Sequence, residues 1–265
     1  EAPDLHPLRQ KDKPMSALRD MLLTMDRAEG EAFIASKTRS QYLGNNRVLC
    51  NVLGSKKFFA LGDDVGFSVH MIFDGFWEYW LTRSFAEHIN DGDVVLDVGA
   101  NLGYYTVLAS DLVGPEGKVV AVEPNPALFG FMMDAVNLNG YGSRVTGLQA
   151  ALTDAEHSSW TRFFCPTAQP MNGRFVEPGD DEAKLLTEGT IVDVETIHDL
   201  SHHFERLDFI KIDVEGAELQ VLKALLPLIE RYKPKVVGEF KFTRGYSFDD
   251  LVELLGVDPL HHLEY

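Results

Sequence analysis

From residue 91 onward, the chain alternates between strand-like and helical segments, and this alternation constrains the fold more than any other feature. Parallel strands need crossover connections, so a repeated strand-and-helix order predicts a doubly wound, mostly parallel α/β sheet. Apolar runs such as Val94–Val98 indicate strands that are covered on both faces. The predicted strands are Val94–Val98, 118–123, 145–150, 209–214 and 235–240, and the predicted helices are Tyr104–Leu112, Pro126–Leu138, 217–228 and 247–255.

Residues 1–91 precede this pattern and are predicted to form a helical and β-hairpin extension, with a second domain over residues 92–265. The hairpin signal is Gly54-Ser55 between two short apolar runs. Residues 154–190 are rich in proline and glycine and are predicted to be an irregular insert on the substrate side. Within the extension we predict a helix over 15–37, strands over 47–53, 57–61 and Phe67–Phe73, and an amphipathic helix over 76–89.

The chain of 265 residues carries a formal net charge of −17. Such an acidic protein repels nucleic acid and anionic membranes at long range, so we expect a small-molecule or carbohydrate-like partner. No apolar run approaches the roughly 20 residues of a membrane span, and the N-terminus lacks an apolar signal core. Cys50 and Cys165 do not make a disulfide framework, which favours a cytoplasmic location. A homo-oligomer formed through the extension is an open alternative.

A glycine-containing turn follows the first strand of the alternating region. Gly99 permits a sharp turn, and Gly103 permits close approach of the backbone to a ligand at the start of the next helix, whose free N–H groups favour a carboxylate or phosphate. Glu123 ends the second strand 20 residues after Gly103. This spacing is typical of an acidic residue that accepts both hydroxyls of an adenosine ribose, so we predict a nucleoside site rather than a purely structural turn.

The identity of the nucleoside is indicated by the residues between the two glycines. A dinucleotide site has a middle glycine so that the backbone can lie against a pyrophosphate, whereas this chain has Asn101 there. Asp97 at the strand end would repel a pyrophosphate but would suit the sulfonium and ammonium of S-adenosylmethionine. The residues therefore favour S-adenosylmethionine, with an NAD-dependent dehydrogenase or epimerase as the less favoured alternative.

A second acidic strand end occurs in the segment D-F-I-K-I-D-V-E-G-A-E of residues 208–218. Asp213 and Glu215 lie where open α/β sheets bind ligands, and Gly216 makes the turn into a helix. Glu218 lies in the first helical turn, where a carboxylate interacts favourably with the helix dipole, so we expect it to be structural. Asp213 is expected to face the methyl donor.

These segments resemble the FkbM family of methyltransferases over residues 47–256. The resemblance rests on D-V-G-A-N-L-G at 97–103, Glu123-Pro124-Asn125, N-L-N-G at 137–140, the segment 74–78, and above all the long motif at 208–218. It implies a Rossmann-like methyltransferase sheet and O-methylation of a hydroxyl on a sugar, glycan, polyketide or other small molecule. Sheets of this class usually end in two further strands, for which the chain after residue 256 leaves little length.

By this resemblance, most of the donor site lies at the ends of the first two strands. Asp97, Gly99, Asn101 and Gly103 would line the methionine moiety, and Glu123 would hold the ribose beside Pro124 and Asn125. Glu78 would reach the donor as well, and Asp154 would lie near the adenine unless it caps a loop. Tyr105 and Thr106 at the start of the helix, and Asp213, complete the predicted cofactor-binding set.

Methyl transfer to a hydroxyl needs a group that takes the proton. The candidates at the carboxyl edge of the sheet are Asp213, Glu215, Glu239 and Lys211. Two carboxylates on neighbouring strand ends could instead bind Mg²⁺, which the sequence does not favour, so no metal site is predicted. Alternatively, Glu239 pairs with a lysine, or the protein binds S-adenosylmethionine as a non-catalytic scaffold. Trp160, Phe163 and Phe164 are candidates for an aromatic wall, with core packing as the alternative.

Overall fold

The structure, a computed structural model, describes residues 16–154, 159–239 and 247–256. It begins with two helices instead of the single helix predicted over residues 15–37. The Asp26 carboxylate accepts a hydrogen bond from the Glu29 N–H, and the Glu29 side chain accepts one from the Asp26 N–H. This capping box starts a new helix in the middle of the predicted one. The helices are α1 (Ala17–Thr24) and α2 (Arg27–Lys37).

The hairpin predicted around Gly54-Ser55 is confirmed, and a further strand precedes it. β1 (Ser40–Gly44), β2 (Arg47–Val52) and β3 (Lys56–Leu61) form an antiparallel sheet of three strands in that order. The turn between the first two strands has Asn45 and Asn46 at positive φ, a conformation that suits a tight hairpin. These three strands pair with one another and, within the described residues, do not extend the parallel sheet described below.

The strand predicted over Phe67–Phe73 is wrong, because these residues form helix α3 (Phe67–Phe73). The Asp64 carboxylate accepts hydrogen bonds from the N–H groups of Gly66 and Ser68, which satisfies donors that the start of a helix leaves free. The amphipathic helix α4 (Tyr79–His88) is shorter than the predicted 76–89, and Trp80 on it is half-exposed rather than part of its buried face.

The first half of the alternating region agrees closely with the predicted elements. It contains β4 (Val94–Val98), α5 (Tyr104–Leu112), β5 (Lys118–Val122), α6 (Pro126–Leu138) and β6 (Val145–Leu148), with a separate short strand β7 (Ala150–Leu152). Asn125 caps α6 by accepting from the Ala127 N–H, and Pro126 occupies the first helical position, where its missing N–H costs nothing.

The prediction of an irregular segment over residues 154–190 is wrong for most of its length. The segment contains β8 (Trp160–Pro166), β9 (Arg174–Phe175), α7 (Glu182–Glu188) and the start of β10 (Gly189–Ile197). With the preceding short strand they form a four-stranded sheet in the order β7-β10-β8-β9. Pro166 ends a strand, Gly173 precedes one, and Gly179 lies at positive φ, so the proline and glycine residues mark turns between short strands.

The chain then returns to the main sheet through β11 (Phe209–Ile212), α8 (Glu218–Tyr232), β12 (Lys235–Gly238) and α9 (Phe248–Leu255). The main sheet is parallel in all its pairings, with the order β12-β11-β4-β5-β6. This confirms the predicted doubly wound, Rossmann-like α/β fold. Any strand after residue 239 would fall at 240–246 or 257–265, outside the described residues. Within the described residues, no helix combines the length and apolar character that a bilayer crossing would need.

Candidate active site

The carboxyl ends of β4, β5, β11 and β12 border a cleft of about 1380 Å³, its open mouth included. Such a cleft at the carboxyl edge is where open α/β sheets bind ligands. The predicted site residues on its wall are Glu78, Gly99, Asn101, Tyr105, Glu123, Pro124, Asn125, Lys211, Asp213, Glu215 and Glu239.

Glu123, directly after β5, is a buried carboxylate on the wall of this cleft. Its Oε2 accepts a hydrogen bond of 2.7 Å from the Asn101 N–H, and its Oε1 accepts one of 2.8 Å from the Asn125 N–H. Each oxygen keeps a second lone pair for another donor. Burial raises the pKa of Glu123 to about 7, although the two N–H donors act in the opposite direction. The carboxylate is therefore held in a fixed orientation with acceptor capacity left over.

Four residues predicted for the donor site are absent from the described cleft wall: Asp97, Gly103, Thr106 and Asp154. Asp97 is fully buried, and its Oδ2 accepts a hydrogen bond of 2.7 Å from the Thr106 hydroxyl. A Cβ on Gly103 would lie 2.7 Å from Cγ of Met132, so this glycine makes room for α6. Asp97 therefore lies behind the described cleft wall, with its Oδ1 3.3 Å from the Lys211 ammonium, and its predicted role in the donor site stays a prediction.

The structure shows a further requirement for glycine at position 99, which the sequence did not indicate. Its φ is +74°, and a Cβ on it would lie 1.8 Å from the carbonyl oxygen of Asp213. The turn after β4 therefore touches the backbone at the end of β11. Gly99 brings two strand ends together, in addition to lining the cleft.

Lys211, within β11, contacts the ends of both β4 and β11. Its ammonium donates a 2.7 Å hydrogen bond to the Gly99 carbonyl and lies 3.3 Å from Asp97 Oδ1 and 3.7 Å from Asp213 Oδ2. Burial disfavours the charged form, but the neighbouring Asp97 and Asp213 carboxylates outweigh it and raise the pKa of Lys211 above its ordinary value. An ammonium held in this way is poorly suited to the predicted role of proton acceptor.

Glu78 brings the N-terminal extension into the cleft. Its Oε2 accepts a 2.9 Å hydrogen bond from the Tyr105 hydroxyl, and Lys211 Nζ lies 5.4 Å from the centre of the Tyr105 ring. Burial raises the pKa of Glu78, with the Tyr105 hydrogen bond acting against it. Tyr105 therefore lies between the Glu78 carboxylate of the extension and the Lys211 ammonium of β11.

Backbone strain is concentrated at this cleft. Glu78, Asn101 and Glu215 have φ values of 38°, 54° and 50°, in the left-handed region that non-glycine residues rarely adopt. All three line the cleft. Such conformations persist where the surrounding structure holds them, and they cluster at functional sites.

Part of the cleft wall comes from segments whose role in the site was missed. Phe67 and Trp77 belong to the extension, where Phe67 had been predicted as part of a strand. Met171, Arg174 and Phe175 belong to the insert. Of the aromatic residues proposed as a wall, Phe163 lines the cleft, whereas Trp160 and Phe164 do not occur in its described lining. Periodicity could not reveal these contacts, because they depend on how the insert folds back over the main sheet.

A two-pronged ion pair lies within the insert, beside the cleft. Arg174 Nη1 and Nη2 donate to the two oxygens of Asp180 at 2.8 and 3.0 Å, and Asp180 also accepts from the Glu177 N–H. Arg174 lowers the pKa of Asp180 to about 2. Bidentate pairing fixes the orientation of both groups, so it holds the shape of the turn after β9, of which Arg174 and Glu177 line the cleft.

Acidic side chains follow two neighbouring strands of the main sheet, β11 and β12. The Glu239 N–H donates to the Ile212 carbonyl, which places Glu239 on the strand end next to Asp213, as the predicted strand order requires. Among the residues that the structure describes, no three His, Cys, Asp or Glu side chains come together in a way that could hold a metal ion. The absence of a metal site stays a prediction.

The fold and the cleft together define a Rossmann-like α/β protein with an acidic site at the carboxyl edge of its parallel sheet. Residues 97–265 match the methyltransferase FkbM domain. The chain therefore belongs to the FkbM methyltransferase family, which confirms the resemblance found in the sequence.

Curated relatives carry methyltransferase names. Methyltransferase sdnD of Sordaria araneosa is 29% identical over 49% of this chain and 60% of its own length. Hexuronic acid methyltransferase AglP of Haloferax volcanii is 30% identical over 65% of both chains. The chain thus spans about 60–65% of the length of these relatives. A SAM-dependent methyltransferase from Aquifex aeolicus is similar in structure, with a TM-score of 0.36, 16% identity and coverage of 67% of this chain and 76% of its own.

Proposed function

We propose that this protein is an S-adenosylmethionine-dependent methyltransferase that methylates a hydroxyl of a sugar, glycan, polyketide or other small molecule. The observation that carries the proposal is the buried Glu123 carboxylate on the cleft wall. Two backbone N–H groups orient it, and each oxygen keeps capacity for one further donor. A ribose diol supplies two such donors side by side.

The charges around the cleft fit the donor and disfavour a pyrophosphate. S-adenosylmethionine carries a sulfonium and an ammonium, and Glu78 and Asp213 are carboxylates on the wall. Asn101 would line the methionine moiety and Glu123 would hold the ribose, while Ala151 and Leu152 offer apolar surface for a base. A dinucleotide would have to place its phosphates among these carboxylates, where like charges repel.

When bound, the donor supplies a methyl group that an oxygen lone pair can attack in line. The protein would bind both molecules, orient them and exclude water, and such positioning supplies much of the rate of a displacement. The hydroxyl proton needs an acceptor, for which we propose Glu215 or Glu239 on the cleft wall. Asp213 is a weaker candidate, because its Oδ2 faces the Lys211 ammonium at 3.7 Å.

The acceptor class is supported by two features. The name of AglP states that it methylates hexuronic acid, and a hexuronic acid is an acceptor of sugar type. The wall also carries aromatic side chains, among them Phe67, Trp77 and Phe175, which suit the apolar faces of a ring. With a net charge of −17, we propose no nucleic-acid partner. A cytoplasmic location is also proposed, in keeping with the free thiols of Cys50 and Cys165.

A methyl-transfer screen tests the proposal. Labelled S-adenosylmethionine would be incubated with the protein and with matched sets of hydroxylated sugars, glycans and polyketides, and label in the product would be counted. The proposal predicts transfer to at least one hydroxyl, and an Asp213→Asn, Glu215→Gln, Glu239→Gln triple variant should transfer far less. Donor binding without transfer to any acceptor would favour the scaffold alternative, and transfer to nitrogen or carbon alone would refute O-methylation.

A further inference from the structure

Lys211 occupies a position that the proposed reaction does not by itself explain. Its side chain is 4% exposed, although it carries an ammonium. That one group donates to the carbonyls of Gly99 at 2.7 Å and Val98 at 3.5 Å. It also lies within 4 Å of Asp97 and Asp213. A single side chain therefore contacts the end of β4, the turn after it and the carboxylate that follows β11.

The two carboxylates around Lys211 have different surroundings. Asp97 is fully buried, with its Oδ2 held by the Thr106 hydroxyl, whereas the Asp213 side chain is 37% exposed on the cleft wall. A buried charge is tolerated only when it is paired, and here the ammonium and Asp97 compensate each other. Asp213 is thereby left with one oxygen near the ammonium and with access to the cleft.

We infer that Lys211 is a positioning residue that holds the Gly99 turn and the Asp213 carboxylate in the arrangement that receives the methyl donor. This inference rests on the proposed function. It replaces the role of proton acceptor considered for Lys211 from the sequence. Gly99 brings the ends of β4 and β11 into backbone contact, and the Lys211 ammonium holds them together by its hydrogen bond to the Gly99 carbonyl.

The inference distinguishes a loss of donor binding from a loss of proton transfer. If Lys211 positions the turn and Asp213, its removal weakens the binding of S-adenosylhomocysteine, which involves no acceptor and no proton transfer. If Lys211 were the base, its removal would slow turnover and leave that affinity unchanged. The equilibrium dissociation constant for S-adenosylhomocysteine therefore separates the two roles.

The test compares four proteins by isothermal titration calorimetry with S-adenosylhomocysteine. Lys211→Met alone leaves Asp97 buried without a counter-charge and endangers folding, so the decisive variant is the charge-balanced Lys211→Met, Asp97→Asn double variant. Asp97→Asn alone keeps Lys211 beside Asp213 and Gly99. The matched control is Lys56→Met, which removes another mostly buried lysine, paired with Asp111 and outside the cleft lining.

We expect the double variant to bind at least tenfold more weakly than wild type and clearly more weakly than Asp97→Asn. Charge-assisted hydrogen bonds lost from a buried site have effects of this size. Lys56→Met should lower the unfolding temperature and keep wild-type affinity. A double variant with cooperative unfolding and unchanged affinity would overturn the positioning role. Failure of the wild-type protein itself to bind S-adenosylhomocysteine would instead refute the proposed function.

Discussion

At the scale of single residues, the cleft depends on buried charges that the protein itself orients. Glu123 has a backbone N–H on each oxygen, and Lys211 has two backbone carbonyls and two carboxylates. Groups held in this way need no reorganisation when a ligand arrives, which favours binding. The cost of burying them appears in the dependence of stability on pH.

Glu123 should destabilise the folded protein as the pH rises. Its pKa is about 7 in the folded state, against an ordinary value of 4.5. Between these values the unfolded chain releases the proton while the folded protein keeps it, so stability falls as pH rises from 4.5 through 7. The penalty above pH 7 is about 3 kcal/mol. Urea unfolding at pH 4.5 and 8 measures it.

Glu123→Gln is the control, because glutamine has nearly the same shape and does not titrate. The free energy of unfolding of wild type minus that of the variant should fall by about 3 kcal/mol between pH 4.5 and 8. A difference that stays constant over this range would show that Glu123 titrates near its ordinary value. It would then be more hydrated than the structure indicates.

At the scale of elements, the regular parts of the main sheet could be predicted from the sequence. Tyr104–Leu112 and Pro126–Leu138 have the predicted bounds, because a glycine turn and an Asn-Pro cap mark where they start. Phe67–Phe73 was mistaken for a strand, since a short apolar run has no decisive period and the Asp64 cap lies outside it. The strands of the insert were missed because proline and glycine at turns make a segment of short strands look irregular.

The site was predictable to the extent that it lies at strand ends. Glu123, Asp213 and Glu239 follow parallel strands, and such ends meet at one edge of a sheet. The direction of Asp97 was not predictable, because it depends on Lys211 from a strand more than 110 residues later in the chain. Contacts made by the extension and the insert likewise depend on tertiary packing.

The turn after β4 offers a prediction at this scale. Gly99→Ala should destabilise the protein far more than Gly140→Ala, although the two glycines have φ values of +74° and +75°. Both substitutions put alanine in a left-handed conformation, which costs roughly 1–2 kcal/mol. At Gly99 the new Cβ also meets the Asp213 carbonyl, which adds about 1–3 kcal/mol, whereas nothing lies within 4 Å at Gly140. Chemical denaturation measures both losses.

Donor affinity provides the second measurement on this pair. Gly140→Ala should bind S-adenosylhomocysteine as wild type does, and Gly99→Ala should bind it poorly, because its turn can no longer contact the end of β11. Equal losses of stability in the two variants would contradict the close approach of the two strand ends.

At the scale of the whole molecule, the extension and the sheet share one hydrophobic core. Phe85 of α4 packs against Tyr105 of α5 and Phe209 of β11, with ring centres 4.9 Å apart in both contacts. One cluster of buried side chains contains residues of both predicted domains, from Leu18 to Phe209. The division at residue 91 describes the sequence pattern, whereas packing and the Glu78 contact join the two parts.

A fragment of residues 92–265 should therefore fail to fold cooperatively on its own. It would expose the faces of α5 and β11 that Phe85 covers, and it would lack Glu78 on the cleft wall. Near-ultraviolet circular dichroism and thermal unfolding test this expectation against the full chain. Phe85→Ala in the full chain is an intermediate case, expected to lose about 3–5 kcal/mol. Native-like cooperative unfolding of the fragment would contradict a shared core.

The central claim, that the cleft binds S-adenosylmethionine through Glu123, is tested most directly by calorimetric titration of S-adenosylhomocysteine into wild type and Glu123→Ala. We predict binding to wild type, affinity weakened well beyond tenfold in the variant through loss of two charge-assisted hydrogen bonds, and no comparable binding of NAD. Unchanged affinity in Glu123→Ala, or tighter binding of NAD than of S-adenosylhomocysteine, would contradict it.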